Sequence, residues 1–243
     1  MAGQHTSAGA NYTAEKLFLS LSEQLSHTFL LIARSVEQPG SAFDTAAQQE
    51  TLRRVHDIAE AATQLTEAYA LSARLRQQMI LPKVEPVAIS SLFYEAVQEL
   101  MPLAKHYGVE LRLDDLTRMQ PVVGDAQILR AALFSLGQIF VLAAAENDTP
   151  MPVQFAAHRS RYGIIAGIYT PASELSVDAF RRAKKLYAAT SQPLSRLVSG
   201  PATGVFVADT LLQSLSTKLH VARYRHLTGL AVTLPMCKQL QLV

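Results

Sequence analysis

His27 is the first residue in the chain with the setting for chemistry. Phe18, Leu21, Leu25, Phe29, Ile32 and Val36 recur at three- and four-residue steps, the seam of an amphipathic helix. Position 27 falls opposite that seam and shares a polar stripe with Ser20, Glu23, Gln24 and Arg34. An imidazole on a wetted face that keeps one nitrogen unprotonated can act as a nucleophile, and an ordinary surface histidine occupies the same kind of stripe. The second stretch is Gly200-Pro201-Ala202-Thr203-Gly204. Glycines let backbone N–H groups approach a phosphate, and a helix after Gly204 would point its positive end there. Pro201 withholds one N–H, and a plain loop before a helix reads the same way. His56, His106, His158, His220 and His226 show no ligand spacing, so no metal site is expected. There is no nucleophile elbow and no nucleic-acid module. Arg181, Arg182, Lys184 and Lys185 read as the solvated face of a helix.

These residues need elements to hold them. Residues 1–13 are small and polar and predict a disordered tail. Thr13 can cap a first helix that runs to about Val36, and Pro39-Gly40 breaks it. A second helix is predicted from about Asp44 to Leu81, with Leu52, Val55, Ala59, Ala62, Leu65, Tyr69 and Ser72 as its seam. The two form an antiparallel hairpin over 14–82. A lone hairpin buries both seams poorly, so a homodimeric four-helix bundle is expected.

Pro82 and Pro86 bracket a linker, and a second domain is expected over 86–237. It reads as a strand at 86–89, a helix at 90–107 capped by Ser90 or Ser91, a stop at Gly108 and a strand at 109–113. Strands follow at 151–158 and 161–169, a helix at 176–189, a loop at 190–203, a helix at 204–215, and strands at 218–224 and 229–235. Between them lies the stretch from Pro121 to Ala145. A short extended run ends at Gly124-Asp125, and Asp125 can cap the helix that follows. Apolar residues from Ile128 to Ala143 cover most of that helix, which marks it as a core helix. The expected class is α+β: a helical hairpin, then an α/β sandwich with helices on one face of one sheet.

The net charge of +2 gives no bulk attraction for nucleic acid or membrane. Cys237, the single cysteine, can form no internal disulfide and suits a reducing compartment. The start of the chain has neither a basic nor an apolar signal region, and no apolar run is read as a membrane span. A cytoplasmic location is the expectation.

Four segments carry a resemblance to sensor histidine kinases. Gly124, Asp125, Leu129, Arg130, Leu133 and Leu136 match the frame of the N-box, a Gly-Asp turn leading into LRxxLxNLLxNAxKxT. AYALSARL at 68–75 resembles the end of the family's second dimerisation helix. Residues 84–113, VEPVAISSLFYEAVQELMPLAKHYGVELRL, resemble its entry to the ATPase domain. GPATGVFVADTLLQSLSTKLHVARYRHLTGLAVTLP at 200–235 resembles its last glycine loop, helix and strands. Together they cover nearly the whole chain, in the family's order.

The resemblance implies roles and also losses. Ser26-His27 stands where the family has its phospho-accepting histidine, with Thr28 and Ile32 in place of the family's Glu and Pro. Gly200, Ala202 and Gly204 stand on the phosphate loop. The family's two N-box asparagines fall on Ser135 and Ile139, and its lysine falls on Leu142. The adenine-binding Asp-x-Gly-x-Gly is replaced by Thr170-Pro171-Ala172-Ser173. Losing a buried partner for the base costs about 1–3 kcal/mol. The ATP site is thus expected to be degenerate, with no cofactor, and Ser135 left as its weak remnant. The reading that follows is a histidine phosphotransferase relaying phosphoryl groups between His27 and receiver-domain aspartates. One alternative is a divergent active kinase using Mg-ATP, and another is a non-catalytic dimeric interaction module. The receiver would dock on Leu30 and Leu31 within a rim of Ser20, Glu23, Gln24 and Arg34.

Overall fold

The computed structural model describes residues 25, 29–30, 32–33, 45–116, 119–145, 150–171 and 203–237. The first helix enters this set only at Leu25, Phe29, Leu30, Ile32 and Ala33, all helical. The second hairpin helix, α1 (Thr45–Arg76), stops short of the expected Leu81. Gln78 takes a φ of +56°, a left-handed turn that no helix continues through. After the linker come β1 (Glu85–Val87), α2 (Ile89–His106), β2 (Leu111–Leu113), β3 (Val122–Gly124) and α3 (Ala126–Ala145). The chain goes on through β4 (Val153–Ser160), β5 (Gly163–Thr170), α4 (Thr203–Ser214), β6 (Leu219–Tyr224) and β7 (Leu227–Leu234). The helix expected at 176–189 lies outside the described residues, as does the loop expected at 190–203 except Thr203, which already belongs to α4.

The strands form two sheets rather than one. The larger has the order β2-β4-β5-β7-β6, with β2 parallel to β4 and every other pair antiparallel. β1 and β3 pair separately, and Val123 N–H donates to Pro235 O at 2.8 Å to join them to the end of β7. Period-two alternation sorts the side chains of the large sheet. Phe155, Ile164, Ala166, Ile168, Leu230 and Val232 face the main core, where Phe93 of α2 meets Phe155 edge to face at 5.7 Å. Ala156, Tyr169, Leu227 and Ala231 form a second, smaller cluster on the other face.

α3 lies in the centre of the main core. It is long and apolar enough to cross a membrane, but its length is packed inside the protein, between α2, α4 and the sheet. α2 starts at Ile89 with Ala88 as its N-cap and no side-chain cap bond, so neither Ser90 nor Ser91 caps it. One helix crosses the expected domain boundary in packing terms. Ala61, Leu65, Ala68 and Leu75 of α1 recur at four, three and seven residues, and they belong to the same core as α2, α3 and α4. Pro82 lies between α1 and β1 and Pro86 lies inside β1, and the apolar core continues past both.

Candidate functional site

The glycine-loop helix and the N-box helix meet directly. Gly204, on the first turn of α4, is buried against α3, and a Cβ there would lie 2.5 Å from Ile139 Cδ1 and 2.8 Å from Ser135 O. The helices come this close because glycine has no side chain. Ser135 is fully buried, and its Oγ donates to Ala131 O at 2.8 Å, so the hydroxyl is spent on its own helix. Ile139 is buried and adds only hydrocarbon. Gln138, one position earlier, is buried with its Oε1 unpartnered. Thr170 closes β5, where the resemblance asks for an acid, and its buried Oγ1 has no partner. The residues at these positions do not fit a magnesium–nucleotide. Where the resemblance asks for a metal-binding amide the chain has Ile139, where it asks for a base-binding acid the chain has Thr170, and α4 packs closely on α3 at Gly204.

Asp125 behaves as its position predicts. Its Oδ1 accepts from Ile128 N–H at 3.0 Å, and its backbone carbonyl accepts from Leu129 N–H at 2.9 Å. Arg130 reaches from α3 to α2, donating to Glu99 and lying 3.7 Å from Glu95. Those two carboxylates, with the Glu99 hydrogen bond first, raise the Arg130 pKa further.

Of the predicted acceptor and docking residues, only Leu30 falls in the described set, where it is helical and 49 % exposed. His27, Ser20, Glu23, Gln24, Leu31 and Arg34 lie outside it, as do Gly200 and Ala202 of the loop. Ser135 and Gly204 are brought together, in contact across two helices. Among the described residues no group of three or more His, Cys, Asp or Glu side chains comes together.

Sequence reasoning missed a polar and aromatic cluster on the far face of the sheet. Tyr224 donates to the Asp114 carboxylate, 110 residues away, and Arg225 approaches the same carboxylate at 3.7 Å. The Tyr224 ring lies 5.6 Å from His158 and 5.4 Å from Tyr169. Gly167 leaves the room: a Cβ there would sit 2.8 Å from Tyr169 Oη and 2.6 Å from Ala231 Cβ. Burial raises the Tyr169 pKa, and burial with the Asp114 hydrogen bond raises that of Tyr224. Asp114 follows β2 and Tyr224 ends β6, on opposite edges of the sheet. No local pattern could have paired them.

No known sequence family and no curated protein matches the chain. Solved structures do. The Acinetobacter baumannii histidine kinase AdeS aligns at a TM-score of 0.51 and 12 % identity, over 88 % of this chain and 98 % of that one. Full-length ShkA in complex with AMPPNP aligns at 0.51 and 15 %, over 92 % of this chain and 46 % of that one. Histidine kinase ThkA, in complex with the response regulator TrrA, aligns at 0.54 and 7 %, over 92 % of this chain and 61 % of that one. The chain therefore has the histidine-kinase-type fold.

Proposed function

We propose that this chain is a two-component signalling protein that relays phosphoryl groups through His27 without using ATP itself. The observation that carries the reading is the contact of Gly204 with Ile139 and Ser135, which fills with hydrocarbon and backbone the ground where nucleotide chemistry would need polar groups. A nucleotide site would need polar groups at Ser135 and Ile139, and here one is an inward-bonded hydroxyl and the other a hydrocarbon packed on Gly204. Two further observations support it. Thr170, which stands where the resemblance asks for an acid, is buried and offers a hydroxyl in place of a carboxylate. α1 and the α/β half also share one apolar core, which suits a fixed scaffold better than a domain that swings to deliver phosphate.

In the proposed relay, a receiver domain carrying an aspartyl phosphate docks on the first helix. The lone pair of the neutral His27 imidazole attacks phosphorus; a P–N bond forms, the acyl P–O bond breaks, and the receiver carboxylate leaves. The reverse step on a second receiver completes the relay, so protons and phosphate balance without a nucleotide. ThkA is described with a response regulator bound, and a receiver domain is the partner proposed here by that likeness. The working unit is proposed to be a homodimer divided into a hairpin at 14–82 and an ATPase-type domain at 86–237, acting in the cytoplasm. Phe29 and Leu52, both expected on seams, are 63 % and 68 % exposed in the single chain, as an unpartnered bundle half would leave them.

The test uses radiolabel. The wild-type chain incubated with a phosphorylated receiver takes up label, and His27→Ala does not. Incubation with labelled Mg-ATP gives no label on either. Label from ATP on the wild type, lost in His27→Ala, would refute the reading and leave the active kinase. No transfer in either direction from any receiver would leave the interaction module.

A further inference from the structure

The Asp125 carboxylate serves two parts of the molecule at once. Oδ1 caps α3 through Ile128 N–H. Oδ2 accepts from Lys83 N–H at 2.7 Å, 42 residues earlier in the chain. Lys83 lies in the linker between α1 and β1, and that linker is otherwise lightly held. Met79, Leu81 and Val84 are exposed, and Gln77, Gln78 and Met79 bond back only to Ala73, Leu75 and Arg74 of α1. Among the described residues no other hydrogen bond ties Ile80–Val84 to the rest of the chain, and the Lys83 Nζ pair with Glu85 at 3.0 Å is local and wet. Asp125 is nine-tenths buried, so its bond to Lys83 is charge-assisted and screened from solvent.

We propose that Asp125 is a positioning strap. Its one carboxylate fixes the path of the chain leaving the hairpin to the N-terminus of α3, the helix that carries Ser135 and Ile139. The shared core of Ala61, Leu65, Ala68 and Leu75 decides which face α1 presents to the α/β half. The β1–β3 pairing, which sets Glu85 beside Gly124, decides where the chain re-enters it, and the strap extends that hold to Lys83 and so keeps the hairpin at one angle. A shift of α3 along its axis is passed back through the β1–β3 pairing as far as Glu85, and beyond it, to Lys83 in the linker, through the Asp125 side chain. Neither half of this device needs the relay proposed above, so the two readings stand or fall separately.

Two substitutions break the strap from opposite ends. Asp125→Ser keeps a hydroxyl able to cap α3 but has one oxygen where two are needed. Lys83→Pro removes the donor and leaves the carboxylate intact. Lys83→Ala keeps the N–H and serves as control. The full chain, carrying Cys237→Ser, is spin-labelled through Gln49→Cys on α1 and Tyr162→Cys at the β4–β5 turn, then diluted into unlabelled chain so that only distances within one chain are read. The distance distribution is expected to broaden in Asp125→Ser and in Lys83→Pro and to match the parent in Lys83→Ala. Amide exchange at Lys83 in Asp125→Ser should rise about tenfold or more, as loss of a hydrogen bond to a charged group predicts, while Ile128 stays protected. An unchanged distribution in either strap variant would overturn the proposal, because the shared core and the β1–β3 pairing would then hold the angle without it. Broadening in Lys83→Ala would also overturn it, by assigning the hold to the Glu85 pair. If Asp125→Ser does not fold, Lys83→Pro decides alone.

Discussion

At Gly204 a hydrogen in place of a methyl group decides how close two helices come. The sequence offers the residue as the last glycine of a phosphate loop, and the structure sets its Cα against Ile139 and the Ser135 carbonyl, where a side chain does not fit. Gly204→Ala should destabilise the protein by about 1–3 kcal/mol in urea unfolding, despite the better helix propensity of alanine. A neutral or stabilising result would mean that α4 can move away and that the site is open after all. Leu30 is the one docking candidate in the described set, and its half-exposed side chain suits an apolar centre with a polar rim. Leu30→Asp should lose receiver transfer and keep the unfolding midpoint; a large fall in stability would assign it to the core. The tyrosines on the far face make a pH prediction. Burial and the Asp114 bond raise Tyr224, and burial raises Tyr169, above the ordinary value of 10.0. An acid whose folded pKa is raised stabilises fully below its unfolded pKa, and that stability drains away as pH climbs past it. Stability should therefore fall above about pH 10, and Tyr224→Phe should flatten the fall. An unchanged profile in that variant would show that Tyr224 does not set it. Nothing in the sequence pointed to this cluster, because its partners are far apart in the chain and meet only in the folded sheet.

Elements were easier to read than contacts. α3 was legible because its apolar residues cover most of its circumference and Asp125 marks its start; both features are local. The strand pairs β4–β5 and β6–β7 were legible from alternation and turn residues, though β4 runs on to Ser160, where its Oγ accepts from Tyr162 N–H and ties the turn. The start of α2 was misplaced because Ser90 and Ser91 look like caps, whereas Pro86 and the β1–β3 pairing end the extended run early enough for the helix to begin at Ile89. The reach of the core across the linker was not legible at all. A seam at helical spacing says that a face is buried and not against what. Leu65, fully buried in the shared core, tests that junction. Leu65→Ala should cost about 2–5 kcal/mol, and the wild type should unfold with α1 and the α/β half in one calorimetric transition. Two separate transitions, with Leu65→Ala affecting only the first, would show the halves to be independent.

For the whole molecule, the balance of buried and exposed apolar surface sets the assembly. α1 spends its C-terminal half on the α/β domain, and Ile58 and Ala62 are buried outside that core. Toward its N-terminal half the balance reverses. Leu52 is exposed, and on the first helix Phe29 and Leu30 are exposed as well. Burying one such side chain is worth about 1.5–3 kcal/mol. Two copies related by a twofold axis would cover these residues with their own equivalents, because a twofold interface uses the same patch on both subunits. Phe29, Leu30 and Leu52 all belong to the hairpin, so the contact should be a bundle of hairpins that leaves the α/β halves apart. Light scattering on the full chain at micromolar concentration should give the dimer mass. Leu52→Glu, which puts a charge on the seam and touches nothing in the shared core, should give the monomer mass with the far-UV spectrum of the α/β half retained. A wild-type monomer, or a Leu52→Glu dimer as tight as the parent, would mean that these side chains face water and that the fold works as a single copy.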